Sequence, residues 1–206
     1  MSGLFITFEG IDGVGKSTQA NLLESYLRSL GHEVLRTLEP GGTELGHEIR
    51  QLLLHRKGHV AARAEALLFA ADRAHHVETK IRPALAAGSF VISDRYFDSS
   101  VAYQGAGREL SIKEVRDINV WATGGLLPNL TVLLDLDAVT ARARRNGTGT
   151  GEDRIEQAKT EFFEATRQAF LQLAKAEPER FLVIDANQSV EQMQSQIQAR
   201  INTLLG

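Results

Sequence analysis

Five short apolar runs rich in β-branched and aromatic residues punctuate the chain: LFITFE (4–9), EVLRTL (33–38), SFVISD (89–94), LTVLLDL (130–136) and RFLVID (180–185). Each has the length of a strand, and stretches with helical spacing separate them at 16–30, 61–87, 111–123, 152–176 and 188–205. Strands alternating with helices predict an α/β fold: a five-stranded parallel sheet flanked by helices on both faces. The third and fourth runs are apolar almost without interruption, as fits strands covered on both sides. Gly31, Gly88, Gly124 and Gly125 fall at the ends of helical stretches, where a left-handed cap is often needed. No repeat and no dividing linker interrupts the 206 residues, so the chain reads as one domain over 1–206. The stretch NGTGTG (146–151) is turn chemistry flanked by arginines and reads as a flap over about 141–156.

Composition narrows the function classes. A net charge of -3 provides no basic field, so a nucleic-acid backbone is not an expected partner. Seventeen of the 23 basic residues are arginine, and several cluster locally. The absence of cysteine excludes disulfides and thiolate metal sites and fits a reducing compartment. No apolar run approaches the roughly 20 residues of a membrane span. No basic stretch precedes the first apolar run, so neither a membrane partner nor a signal peptide is expected, and the expected location is cytoplasmic.

The first run leads into FEGIDGVGKSTQ (8–19), in which Gly10, Gly15, Lys16 and Ser17 fit G-x-x-x-x-G-K-[ST] between a strand and a helix. A polyphosphate needs several convergent N–H donors, and glycines let the backbone turn tightly enough to aim them inward. The helix start adds unsatisfied amides and the positive end of its dipole. Residues Gly10, Ile11, Asp12, Gly13, Val14, Gly15, Lys16, Ser17 and Thr18 are therefore the expected ATP-binding set. Lys16 is a point charge for the terminal phosphates, and the Ser17 hydroxyl is a ligand for Mg²⁺. No NKxD or TKxD guanine reader is present, which argues against a switch GTPase. A small chain with an arginine-bearing flap points to a nucleoside or nucleotide kinase, since transfer to a small acceptor must exclude water.

A second constellation follows the third run. In SDRYFDSSVAYQGAG (93–107), Asp94 ends a strand beside the phosphate loop, where a carboxylate holds Mg²⁺ through water or takes a proton from an acceptor oxygen. Arg95 beside it can clamp a phosphate with two parallel donors. The same pair also reads as a surface ion pair. Phe69 and Arg73, four residues apart in EALLFAADRAHHV (65–77), share one side of a helix. They read either as a stacking surface with a donor beside it, or as a core aromatic with a solvated neighbour of Asp72. Arg142, Arg144, Arg145 and Arg154 bracket the flap; arginines so placed can neutralise a transferring phosphoryl group and supply about 10³ to 10⁵ in rate.

These strings together resemble bacterial thymidylate kinases, P-loop enzymes that convert dTMP to dTDP with MgATP. The resemblance extends from Phe5 to the last helix and rests on FEGIDGVGKSTQ, EPGGTELG (39–46), LLFAADRA (67–74), DRYFDSSVAYQG (94–105), PNLTVLLDL (128–136) and EDRIE (152–156). It implies the P-loop NTPase fold with a short lid, dTMP and ATP as partners, Mg²⁺ as cofactor, and a homodimer. Residue by residue, it implies that Asp12 bonds the sugar 3′-hydroxyl or reaches the metal. Phe69 stacks on thymine, and Arg73 donates to its ring carbonyl and approaches the phosphate. Arg95 binds the dTMP phosphate, with Asp94 near Mg²⁺. Ser100 and Gln104 read the polar edge of the base, and Tyr103 presses on the deoxyribose. Catalysis falls to Lys16, Arg95 and the lid arginines Arg142, Arg144, Arg145 and Arg154. Gly13 stands where some relatives carry a loop arginine, so the resemblance is to the subclass whose catalytic arginines lie in the lid. Leu38 stands where relatives often carry arginine, and Arg50 on the next helix is the expected substitute. The family implies a cis bond before Pro40, whereas X-Pro statistics favour trans. The alternatives are a kinase for another nucleotide or deoxynucleoside, which substrate assays separate, and a nucleotide-binding switch, which would bind nucleotide tightly without transfer.

Overall fold

The computed structural model describes residues 3–107, 110–146, 154–155 and 158–206. The chain opens with β1 (Phe5–Glu9), α1 (Lys16–Ser29), β2 (Val34–Leu38), α2 (Glu44–Leu54) and α3 (Ala62–His76). A π-helical turn, Val77–Ile81, carries α3 into α4 (Arg82–Ala86), and β3 (Phe90–Asp94) follows. The short α5 (Phe97–Ser100) runs into a second π-helical stretch, Val101–Gly107, then α6 (Ile112–Ala122) and β4 (Leu130–Asp135). The chain closes with α7 (Ala138–Asn146), α8 (Thr160–Ala176), β5 (Phe181–Asp185) and α9 (Val190–Leu205).

All five strands pair in parallel in the order β2-β3-β1-β4-β5. The five apolar runs thus become five strands, each within one residue of its expected bounds. Every residue of β1 is buried, as the central position requires. The chain leaves β1 for β2 on one side and, after β3, crosses to β4 on the other, which opens a crevice at the carboxyl end of β1. The loop after β1 and the turn after β3 therefore meet there.

The expected helix over 61–87 is α3, the π-helical turn and α4 in succession. The expected helix over 152–176 requires correction, because its described part starts at Thr160. The Arg154 N–H is spent on the Leu54 carbonyl at 3.2 Å, outside any helical ladder, and Lys159 is extended at the cap (φ -69, ψ 158). The arginine-rich first part of the flap belongs to a helix, α7, whose start is capped by Asp137 accepting from the Thr140 N–H at 2.9 Å. Of the flap over about 141–156, residues 147–153 and 156 lie outside the described residues. The Glu39–Pro40 bond is cis, as the resemblance implied and X-Pro statistics did not.

One buried ion pair anchors the start of α5. Arg180, just before β5, gives Asp98 two parallel bonds of 2.6 and 2.9 Å and a third to Thr131 at 2.7 Å. Its guanidinium also lies 4.4 Å from the centroid of the Phe181 ring. No helix among the described residues is long and apolar enough to cross a membrane.

Candidate active site

The phosphate loop is held by close backbone contact. Gly10 has φ 133, and a Cβ there would stand 2.5 Å from the Leu134 carbonyl oxygen. Gly13 has φ 89, and a Cβ there would stand 2.2 Å from the Ala141 carbonyl oxygen. The departure seen at position 13 thus has a local cause: the backbone of α7 occupies the space a side chain would need. Gly15 caps α1 with left-handed geometry.

Lys16 begins α1 and lies buried, its Nζ donating to the Gly10 and Ile11 carbonyls at 3.0 and 2.9 Å. Burial, then Arg95, pulls its ammonium below the usual lysine range, against Asp12, Asp94 and Glu9. The Ser17 hydroxyl donates to Oδ2 of Asp94 at 2.6 Å, so the two expected metal residues stand side by side. Lys16, Ser17, Thr18, Asp94, Arg144 and Arg145 line one side of the crevice together with the loop glycines Gly13 and Gly15.

Arg95 sits at the other pole of the loop. Its φ of 72 places a non-glycine residue in the left-handed region. The main chain is fixed there by its N–H on the Phe8 carbonyl at 2.9 Å and by the Ser93 hydroxyl donating to its carbonyl at 2.7 Å. The guanidinium donates to Asp12 at 2.6 Å, to the Gly10 carbonyl and the Ser99 hydroxyl at 3.0 Å each, and to the Tyr103 hydroxyl at 3.2 Å. Burial opposes the charge on Asp12, but Arg95 and Lys16 outweigh it and hold that carboxyl well below the usual carboxylate range.

Behind Arg95 stands a carboxyl that the motif reading passed over. Glu9 ends β1 fully buried, accepting the Tyr96 N–H at 2.8 Å and the Ser99 hydroxyl at 2.5 Å. Burial and the neighbouring Asp98 push it from 4.5 up to about 8, against the bonds from Ser99 and Tyr96 and the charge of Arg95. Between those values the native protein keeps a proton that the unfolded chain releases. The contribution of Glu9 to stability is therefore full below about 4.5 and is lost as pH rises through about 8. Glu9→Gln keeps the shape and removes the titration. Thermal melts at pH 5, 6.5 and 8 are expected to show a flatter profile for the variant; parallel profiles would contradict this assignment.

A second cavity adjoins the first and shares Asp12, Glu39, Arg50 and Arg95 with it. All seven acceptor candidates line it: Asp12, Phe69, Arg73, Arg95, Ser100, Tyr103 and Gln104. Phe69 is half-buried and faces this cavity, which favours the stacking reading over the purely core one. Arg73 is not solvated, as the isolated segment suggested, but 1% exposed. It bonds Glu39 at 2.7 Å, Ser100 at 3.1 Å and the Tyr96 carbonyl at 3.1 Å, and it also donates to Asn119. Its rigidity comes from a buried chain in which Glu39 also meets Nδ1 of His76 at 2.8 Å and Nε2 of His76 meets Thr37 at 2.7 Å. Arg50 reaches back from α2 to the Pro40 carbonyl at 2.8 Å and lines both cavities, while Leu38 lines the first.

The four flap arginines separate. Arg144 and Arg145 face the phosphate-loop cavity, with Arg144 also donating to the Ala186 carbonyl at 2.7 Å. Arg142 and Arg145 line a small cleft with Ile11, Asp12 and Phe163. Arg154 lies apart from them, on the acceptor side, where it pairs with Glu65. Glu9, Glu39, Glu65 and His76 are the site residues that motif spacing missed. The signal available for two of them was a carboxylate at, or just beyond, the carboxyl end of a strand.

A family profile described as thymidylate kinase matches residues 8–197. The thymidylate kinase of Clavibacter sepedonicus is 60% identical over 205 residues, covering 100% of this chain and 97% of that protein. That of Deinococcus radiodurans is 49% identical over 202 residues, covering 97% of each. Among solved structures, the crystal structure of thymidylate kinase from Ehrlichia chaffeensis matches with a TM-score of 0.82 at 30% identity, over 98% of this chain and 100% of that one.

Proposed function

Because the chain belongs to the thymidylate kinase family, we propose that it transfers the γ-phosphoryl group of ATP to dTMP, giving dTDP and ADP, by direct in-line displacement. The observation that carries this reading is the shared wall: Arg95 and Asp12 line both the phosphate-loop cavity and the cavity holding Phe69 and Gln104. A donor bound in the first and an acceptor bound in the second meet across that wall. A phosphate oxygen of dTMP attacks the γ-phosphorus, the bond to the β–γ bridging oxygen breaks, and ADP leaves with that electron pair. The acceptor is already an anion near neutral pH, so the chemistry needs little base catalysis. The difficulty is bringing two anions together, which Lys16, Arg95, Arg144 and Arg145 ease by fixed positive charge. This reading gives Arg154 no contact with the phosphates.

Magnesium fits the Ser17–Asp94 pair, a hydroxyl and a carboxylate 2.6 Å apart in the phosphate-loop cavity. Hard oxygen ligands of this kind suit an ion that keeps waters and phosphate oxygens for the rest of its shell. Bound there, it supplies charge neutralisation on the phosphate oxygens.

ADP-release assays with dTMP, dUMP, dCMP, AMP and thymidine test the reading, since dTMP must be the preferred acceptor. The cavity wall offers Phe69, Leu54, Pro40 and Ile155 to the base. Apolar walls extract only about 1–3 kcal/mol from one methyl group. Turnover of dUMP is therefore expected, with kcat/KM lower by roughly 10- to 200-fold; complete rejection of dUMP would contradict this account.

A further inference from the structure

Gln104 reaches the acceptor cavity with one end of its amide already committed. Its Nε2 donates to Oε1 of Glu65 at 3.1 Å. A carboxylate offers acceptors only, so the NH₂ end of the amide must face Glu65 and the carbonyl oxygen is the end left to the cavity. Glu65 is 1% exposed, behind the wall, and its Oε2 takes the guanidinium of Arg154. Arg154 is fixed in turn, its Nε donating to the Leu53 carbonyl at 2.8 Å and its main-chain N–H to the Leu54 carbonyl at 3.2 Å.

Resting on the dTMP reading above, the geometry points to Glu65 as a specificity-determining positioning residue, with Arg154 as its anchor. Together they set the direction of the Gln104 amide so that it presents an acceptor to the N3 edge of a pyrimidine. Thymine and uracil carry a donor there, N3–H, whereas cytosine carries a lone pair. A side-chain amide held only by neutral partners can turn over and offer its NH₂ to either base. The ion-paired carboxylate removes that freedom, so cytosine meets oxygen against lone pair. The pocket rejects cytosine through a residue that does not touch it. Arg154 thereby gains a role that its distance from Arg144 and Arg145 would otherwise leave unexplained.

The test is steady-state kcat/KM for dTMP, dUMP and dCMP with MgATP, on the full chain and on Glu65→Gln, Gln104→Leu and the double variant. In Glu65→Gln the new amide turns its oxygen to Arg154 and its NH₂ to Gln104, which then turns its own NH₂ to the cavity. The dTMP-to-dCMP ratio is expected to fall by roughly 10- to 100-fold, the worth of one buried hydrogen bond turned from satisfied to opposed. dTMP and dUMP should decline together, and adding Glu65→Gln to Gln104→Leu should not change the ratio further. A Glu65 that merely supports the fold would lower all three substrates alike, and a parental ratio in folded Glu65→Gln overturns the proposal. Should that variant not fold, Glu65→Met removes the acceptor-only partner and leaves the Gln104 amide free to turn over. This second variant must lower the ratio in the same direction, and a parental ratio there overturns the proposal equally. A parent chain without dTMP turnover would sink the functional reading instead, which keeps the two failures distinct.

Discussion

Lys16→Met is expected to lower kcat for dTMP phosphorylation by at least about 10³-fold while leaving a folded protein. The magnitude follows from what the ammonium does. Removing a single preorganised neutral donor from a charge-developing site already costs roughly 10²- to 10³-fold. Lys16 supplies a full charge, buried and 3.8 Å from Asp12, where water screens it poorly. Methionine fills the channel with a stem of similar length but leaves the Gly10 and Ile11 carbonyls without their donor. That loss costs about 1–3 kcal/mol, within the usual margin of about 5–15 kcal/mol for a domain. Circular-dichroism melts establish the fold, and coupled ADP-release assays at saturating dTMP establish the rate. A folded variant with near-parental kcat would remove Lys16 from the transfer step.

How much of this site was readable beforehand depends on whether the interaction was local in sequence. The phosphate loop was readable because its chemistry is completed within ten residues: donors, turn and helix start are covalent neighbours. The strands were readable because β1, β3 and β4 are apolar runs whose charged residues, Glu9, Asp94 and Asp135, fall only at their carboxyl ends. The seven acceptor candidates came from the combined strings, and they line one cavity. What spacing did not reveal is the scaffold behind them, which is made by long-range pairing. Glu9 reaches Ser99 across 90 residues only because β1 and β3 are adjacent in the sheet. Glu39 holds Arg73 across 34 residues, and Arg154 holds Glu65 across 89. Nothing in the local pattern around Arg154 distinguishes an arginine for phosphate from one for a buried carboxylate. Helix α2 was hard to read for a different reason. Its Gly46 is a poor helix former, kept because a Cβ there would stand 2.3 Å from Oδ1 of Asp72. Tertiary packing dictated that residue against local preference.

Arg95→Gly and Arg95→Ala are expected to lose activity alike and to differ in stability, which separates the two things this residue does. The side chain is the fork between Asp12, Ser99 and Tyr103 on the wall common to both cavities, and either substitution deletes it. kcat/KM for dTMP should fall by about 10³-fold in both, the loss of a charged, two-pronged anion clamp. The backbone is a separate matter. At φ 72 an L-residue carries strain of about 1–2 kcal/mol, and the site tolerates it because the Phe8 carbonyl, Ser93 and the guanidinium contacts all fix the turn. Alanine retains that strain without the guanidinium contacts, whereas glycine is free of it. Glycine gives back part of the gain through the extra freedom of its unfolded chain, so the net difference should be about 1 kcal/mol in favour of Arg95→Gly. Denaturant titrations of the two variants measure this directly. Equal stability would show that the strain of the left-handed turn is no larger than the entropy glycine adds to the unfolded chain, and retained turnover in either would show that the acceptor phosphate is clamped elsewhere. If the ordering holds, a backbone cost maintained at this one position is what aims the guanidinium at the meeting point of donor and acceptor.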